Sequence, residues 1–85
     1  MNWTIVIDAH AEKQLKRFPA KDYNRIRLTI NAMAIDPFSG DINKLNGEED
    51  SWRRRVGNYR VFYEIYIEKK LIYVSEIKRR TSSAY

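Results

Sequence analysis

The sequence has no cysteine, one histidine, two prolines and three glycines in 85 residues. Without cysteine there is neither a disulfide framework nor a thiolate metal site. A single histidine leaves no set of nitrogen ligands, so no metal and no cofactor are expected. No stretch approaches the roughly 18 uninterrupted apolar residues of a membrane span. Residues 1–10 lack the basic segment that opens a secretory signal, and Asp8 interrupts the apolar run after Ile7. The expectation is a cytoplasmic protein with no membrane partner. The length fits one domain, residues 1–85, around one modest core.

What is present is positive charge, unevenly spread. The net charge is +5. Residues 1–42 hold six Lys/Arg against five Asp/Glu, whereas residues 43–85 hold ten against six. The excess is densest in Arg53-Arg54-Arg55 and Lys78-Arg79-Arg80. Such asymmetry favours a polyanionic partner, although short charge runs are as often plain solvated faces.

Trp3, Ile5 and Ile7 alternate with Thr4 and Val6, the pattern of a strand over residues 2–7. Asp8 is placed to cap a helix beginning at Ala9, with Ala11, Leu15 and Phe18 as its narrow apolar stripe and Pro19 as its end. A second helix is predicted from Ala20 or Lys21 to Ile35, burying Tyr23, Ile26, Ile30, Met33 and Ala34, and stopped by Asp36-Pro37. Residues 36–51 read as a long polar connection anchored by Leu45. Beyond it the period changes to two. Strands are predicted over 52–56, 59–67 and 71–77, joined by Gly57-Asn58 and by Glu68-Lys69-Lys70. The prediction is a two-layer α+β fold: an N-terminal strand and helical hairpin packed on a mainly antiparallel four-stranded sheet, in the order β-α-α-β-β-β.

Strand phase gives the arginines directions. If Trp52 and Val56 face the helices, Arg53 and Arg55 point the other way, about 6–7 Å apart. Tyr59, Val61, Tyr63, Ile65 and Ile67 form the better core set of the next strand, which leaves Arg60, Phe62, Glu64 and Tyr66 on the open side. Three guanidiniums on one patch repel, and bound phosphate relieves that repulsion. Arg54 is in phase with the inward residues. It is expected either to snorkel out at a sheet edge, the preferred reading because the first strand of a meander is often an edge, or to sit at a bulge. Phe62 and Tyr66 read equally as a packing surface or a base-stacking platform. Glu64 reads as an ion-pair partner or, less often in such a setting, a general base, and His10 as an exposed helical residue.

Lys44-Leu45-Asn46-Gly47, followed by the run from Trp52 through Arg53-Arg54-Arg55-Val56-Gly57-Asn58-Tyr59-Arg60-Val61-Phe62-Tyr63-Glu64-Ile65, resembles the RelE/ParE superfamily of toxins from type II toxin–antitoxin pairs. The resemblance covers nearly the whole chain. RelE-type members cleave messenger RNA in the ribosomal A site, and ParE-type members inhibit DNA gyrase. The basic pair of the RNA-cleaving branch matches Arg53 and Arg55, its YR motif matches Arg60, its arginine after the last strand matches Arg79, and its C-terminal tyrosine matches Tyr85. These five are the expected catalytic residues, with Lys44, Arg54, Lys78 and Arg80 expected to bind RNA.

The resemblance implies metal-independent attack of a 2′-oxygen on the adjacent phosphate, giving a 2′,3′-cyclic phosphate and a 5′-hydroxyl. It implies messenger RNA, ribosomal RNA and a cognate antitoxin as partners. Three features depart from the pattern. The basic pair is arginine rather than lysine, Arg54 stands at a usually apolar position, and the chain stops at Tyr85 where many relatives continue into a helix. Gyrase inhibition and a non-catalytic basic RNA- or antitoxin-binding protein stay open as alternatives.

Overall fold

The computed structural model describes residues 2–45 and 51–79. The chain opens with strand β1 (Thr4–Ile7). Asp8 then turns it into helix α1 (Ala9–Lys16): its Oδ2 accepts the His10 amide at 2.9 Å, satisfying one of the donors that a helix start leaves free. Ala11 and Leu15 are fully buried, and Phe18, just past the helix, packs its ring 4.5 Å from that of Tyr59. Pro19 serves as the N-cap position of α2 (Ala20–Met33), which buries Ile26, Ile30 and Met33, at spacings of four and three. Fully burying side chains of this size is worth about 1.5–3 kcal/mol each. Among the described residues no helix is long and apolar enough to cross a membrane.

Four more strands follow: β2 (Ile42–Lys44), β3 (Ser51–Val56), β4 (Tyr59–Tyr66) and β5 (Leu71–Arg79). They join β1 in one sheet of order β1-β5-β4-β3-β2. All neighbours are antiparallel except β1, which runs parallel to β5 with Ile5 opposite Ile72 and Ile7 opposite Val74. The helices cover one side. Val56, Tyr59, Val61, Tyr63, Ile65, Ile72, Val74 and Ile77 supply the sheet's part of the core, and the partly buried Trp3, Ile5, Ile7 and Trp52 pack against it. Both edge strands are short, as edges that resist further pairing usually are.

The sheet therefore has five strands, not the four expected, and the fifth lies inside the stretch read as a polar connection. Asp36 folds the chain back after α2. Its Oδ1 accepts the Phe38 amide at 3.0 Å and its carbonyl accepts Ser39 Oγ at 3.0 Å. Pro37 is fully buried, and the Tyr63 hydroxyl donates to its carbonyl at 3.3 Å. So anchored, the chain returns along β3 with Ile42 opposite Arg54, Asn43 opposite Arg53 and Lys44 opposite Trp52. Three paired residues are too few to show a period of two, so polarity hid the strand.

The β3–β4 hairpin turns at Gly57, whose φ of +58° suits glycine. One irregularity shapes the opposite side of β4. Phe62 pairs with Glu76 but Tyr63 pairs with Val74, leaving Ser75 as an extra residue in a β-bulge, its Oγ donating to the Phe62 carbonyl at 3.3 Å.

Candidate active site

The side of the sheet away from the helices is ordered in rows set by strand register. The first row is Arg55, Arg60 and Lys78, contributed by β3, β4 and β5. The second is Asn43, Arg53, Phe62 and Glu76. The third is Ser51, Glu64, Tyr73 and Val6. Neighbouring strands lie about 4.8 Å apart and successive rows about 6–7 Å apart. The open side thus runs from mainly cationic at the hairpin end, where Asp41 flanks Arg55, to carboxylate and phenol at the other.

Four cations stand in the first two rows. Two unit charges 6 Å apart repel by about 0.7 kcal/mol in water and about 3 kcal/mol at the effective dielectric near a protein surface. Two of the four are partly neutralised. Arg55 Nε bonds Asp41 Oδ2 at 2.9 Å, with the Arg55 amide also donating to the Asp41 carbonyl at 3.0 Å. Lys78 Nζ lies 3.9 Å from Glu76 Oε2 and 5.8 Å from the centre of the Phe62 ring. Among the described residues Arg53 and Arg60 have no ion pair. Asp41 uses only the Nε of Arg55, so the two terminal nitrogens keep their paired-donor geometry for a phosphate.

The expected site residues divide. The structure brings together Arg53, Arg55, Arg60 and Lys78. Arg54 is turned to the helix side, where its Nη1 donates to the Ser39 carbonyl at 3.0 Å while its Nε is buried without a partner. Its guanidinium lies against Gly40, whose φ of +86° and lack of a side chain admit it. The sheet-edge account of Arg54 is thereby corrected: β2 covers β3, no bulge interrupts the pairing, and the side chain goes in rather than out. Lys44 shares the Trp52 side at the outer strand. Arg79 ends β5 opposite Tyr59, one residue out of phase with Lys78, and its charge is felt by the Tyr59 phenol. Arg80 and Tyr85 lie outside the described residues.

Among the described residues Tyr59, Tyr63 and Tyr73 each hold their proton more tightly than a free phenol. Burial, then the 2.7 Å bond to Asp22, raises Tyr59 above its usual value. Burial pushes Tyr63 up to about 12. On the open side the Tyr73 hydroxyl donates to Asp8, which raises Tyr73 and lowers Asp8, and the Tyr66 hydroxyl donates to Glu64. His10 is exposed on α1. Among the described residues no group of three His, Cys, Asp or Glu side chains is arranged to hold a metal. A surface pocket of about 280 Å³ opens beside Tyr66, Ile67, Glu68 and Lys69, at the end of β4 away from Arg60.

Two residues of this surface, Asp41 and Glu76, had not been singled out from the sequence. Glu76 had a signal: Ile72, Val74 and Ile77 are spaced by two and then three, which marks a phase slip in the strand.

A family model described as the ParE toxin of the type II toxin–antitoxin system parDE matches residues 5–83. The chain belongs to this toxin family. Within the RelE/ParE superfamily its sequence and structural matches are predominantly RelE toxins. It is 26% identical to the protein named RelE1 of Methanocaldococcus jannaschii over 83 residues, 94% of this chain and 92% of that one. It is 37% identical to toxin RelE3 of the same organism over 57 residues, 62% of this chain and 65% of that one. The structure of an archaeal RelE–RelB complex from Pyrococcus horikoshii superposes with a TM-score of 0.85 at 27% identity, covering 98% of this chain and all of that one. The protein is the toxin of a toxin–antitoxin pair.

Proposed function

We propose that this toxin is a metal-independent endoribonuclease that cleaves messenger RNA in the ribosomal A site. The observation that carries the reading is the uncovered row of Arg55, Arg60 and Lys78 with Arg53 immediately behind it. Four cations on one rigid surface, two of them without an ion pair among the described residues, suit a phosphate backbone better than they suit packing.

The reaction makes one P–O bond and breaks another. The 2′-oxygen attacks its own 3′-phosphate, charge builds on the phosphorane oxygens, and the 5′-oxygen leaves, giving a 2′,3′-cyclic phosphate and a 5′-hydroxyl. Arg60, central in the first row, is placed to hold that charge. Arg53 and Arg55 hold the backbone in line, with Lys78 as the fourth phosphate contact. Arg79 and Lys44 serve the RNA from the rim, Arg80 is a further RNA contact, and Tyr85 keeps the role that the resemblance gives it. Arg54 serves the loop through the Ser39 carbonyl rather than the RNA. Guanidinium groups neither take nor release protons at physiological pH. The ribosome supplies orientation of the message, an effect worth several powers of ten. Solved relatives include RelE–RelB complexes. An antitoxin with an acidic segment and an amphipathic helix is the corresponding partner here, and it would act by covering the basic rows.

Inhibition of DNA gyrase is the second reading, favoured by the match to the ParE family model. One experiment separates them: purified toxin is incubated with programmed ribosomes, with free RNA, and with gyrase and supercoiled DNA. Cleavage confined to ribosomes and lost in Arg60→Ala supports the first reading. Intact message together with blocked supercoiling overturns it.

A further inference from the structure

We infer that Glu76 is the proton acceptor for the 2′-hydroxyl in RNA cleavage, a role that rests on the RNA-cleaving reading above. The bulge carries the argument. Ile72 and Val74 face the helices, so unbroken alternation would place Glu76 with them and Ser75 on the open side. The extra residue reverses this. Glu76 lands opposite Phe62 in the second cationic row, and Ile77 takes the buried position. Bulges recur beside active sites because they re-aim a side chain in this way.

The placement is poorly explained by stability. The Lys78–Glu76 pair is 3.9 Å long with the side chains 59% and 35% exposed, and such pairs contribute about 0–1 kcal/mol. A carboxylate among four cations also repels the phosphates those cations attract. It does offer the one property the arginines lack, a lone pair that can accept a proton. Arg60 stands diagonally across from Glu76. Diagonal neighbours on a sheet lie about 7–8 Å apart, within reach of long side chains. A phosphate held on Arg60 therefore brings its flanking ribose within range of the carboxylate. Of the other carboxylates on this side, Asp41 is held by Arg55 Nε at 2.9 Å, and Glu64 accepts the Tyr66 hydroxyl one row further from the cations.

In the step, the 2′-O–H bond breaks and its proton goes to a Glu76 carboxylate oxygen. The freed electron pair forms the bond to phosphorus, and the P–O5′ bond breaks. The 5′-oxygen takes a proton from water, and Glu76 releases its own to solvent.

Removing an anion from a phosphate-binding surface tightens binding, while removing a general base slows chemistry, so affinity and rate should move in opposite directions. The test uses full-length toxin in excess over programmed ribosomes and follows single-turnover cleavage and binding for wild type, Glu76→Gln, Glu76→Ala and Arg60→Ala. Glu76→Gln is expected to bind equally or more tightly and to cleave about 10²–10⁴-fold more slowly. Added formate should restore part of the rate to Glu76→Ala and none to Arg60→Ala. Cleavage by Glu76→Gln within threefold of wild type overturns the inference and leaves the RNA-cleaving reading intact. Loss of binding in step with rate, or a slow Glu76→Ala that formate does not rescue, overturns it equally. A wild-type toxin that cleaves neither ribosomal nor free RNA removes the parent reading and this inference together.

Discussion

Arg53 and Arg54 are consecutive and chemically identical, yet one peptide unit sends them to opposite sides of the sheet. Arg53 stands on the open side beside Phe62, without an ion pair among the described residues, and adds to a patch that repels itself. Arg54 is enclosed on the other side, bonded to the Ser39 carbonyl over Gly40 and close enough to Tyr63 for its charge to be felt there. A charge left uncompensated toward solvent is available for a ligand. A charge spent on a backbone carbonyl holds a loop. The same side chain thus serves binding or stability according to strand phase alone.

The largest expected difference between the two sides is catalytic. Arg60→Ala should lower cleavage by about 10²–10³-fold, the usual effect of losing one donor to a developing anion. Its unfolding free energy should stay within about 0.5 kcal/mol of wild type by denaturant titration. A large loss of stability in that variant would break the division.

The converse holds for Arg54. Replacing it by alanine removes the donor to the Ser39 carbonyl and should cost about 0.5–1.5 kcal/mol of unfolding free energy. Gly40→Ala, which forces a residue with a side chain to φ +86° against that guanidinium, should act in the same direction.

Alkaline unfolding sharpens the same contrast. Tyr63 keeps its proton up to about 12 in the fold, against 10.0 when free, so above pH 10 the unfolded chain releases a proton that the native state holds. The stability associated with the neutral phenol is fully present below pH 10 and is lost at roughly 1.4 kcal/mol per pH unit as pH rises toward the folded value. Tyr63→Phe should flatten that limb in unfolding curves taken at pH 9, 10 and 11.

The smallest effect lies in salt dependence. For single-stranded RNA the slope of log affinity against log salt should fall in magnitude by about 0.7 for each phosphate-contacting cation removed. Arg53→Ala and Lys78→Ala should each show this decrement, and Arg54→Ala should not.

Much of this was readable before folding. Apolar spacing of four and three gave both helices, and Asp8 and Pro19 marked their starts and stops. Alternation after Trp52 gave the hairpin and sent Arg53, Arg55 and Arg60 to one side, because side-chain direction along a strand is a local property of two residues. The resemblance covered nearly the whole chain, and the family model over residues 5–83 confirms the superfamily.

Other features depended on what lay alongside. Strand β2 exists because buried Pro37 and the Asp36 turn return the chain to β3, and three polar residues carry no period of their own. Arg54 points inward because β2 closes the edge by which it was expected to escape, and because Gly40 leaves room for a guanidinium. The bulge opposite Phe62 placed Lys78 and Glu76, rather than Arg79, beside Arg60. The sequence by itself determined the elements, the family and the phase of β3 and β4, since each depends on neighbours a few residues apart. Which residues of β5 complete the cationic rows depended on a one-residue slip between paired strands, and that slip is fixed by cross-strand hydrogen bonds and the burial of Ile77, which only the assembled sheet supplies.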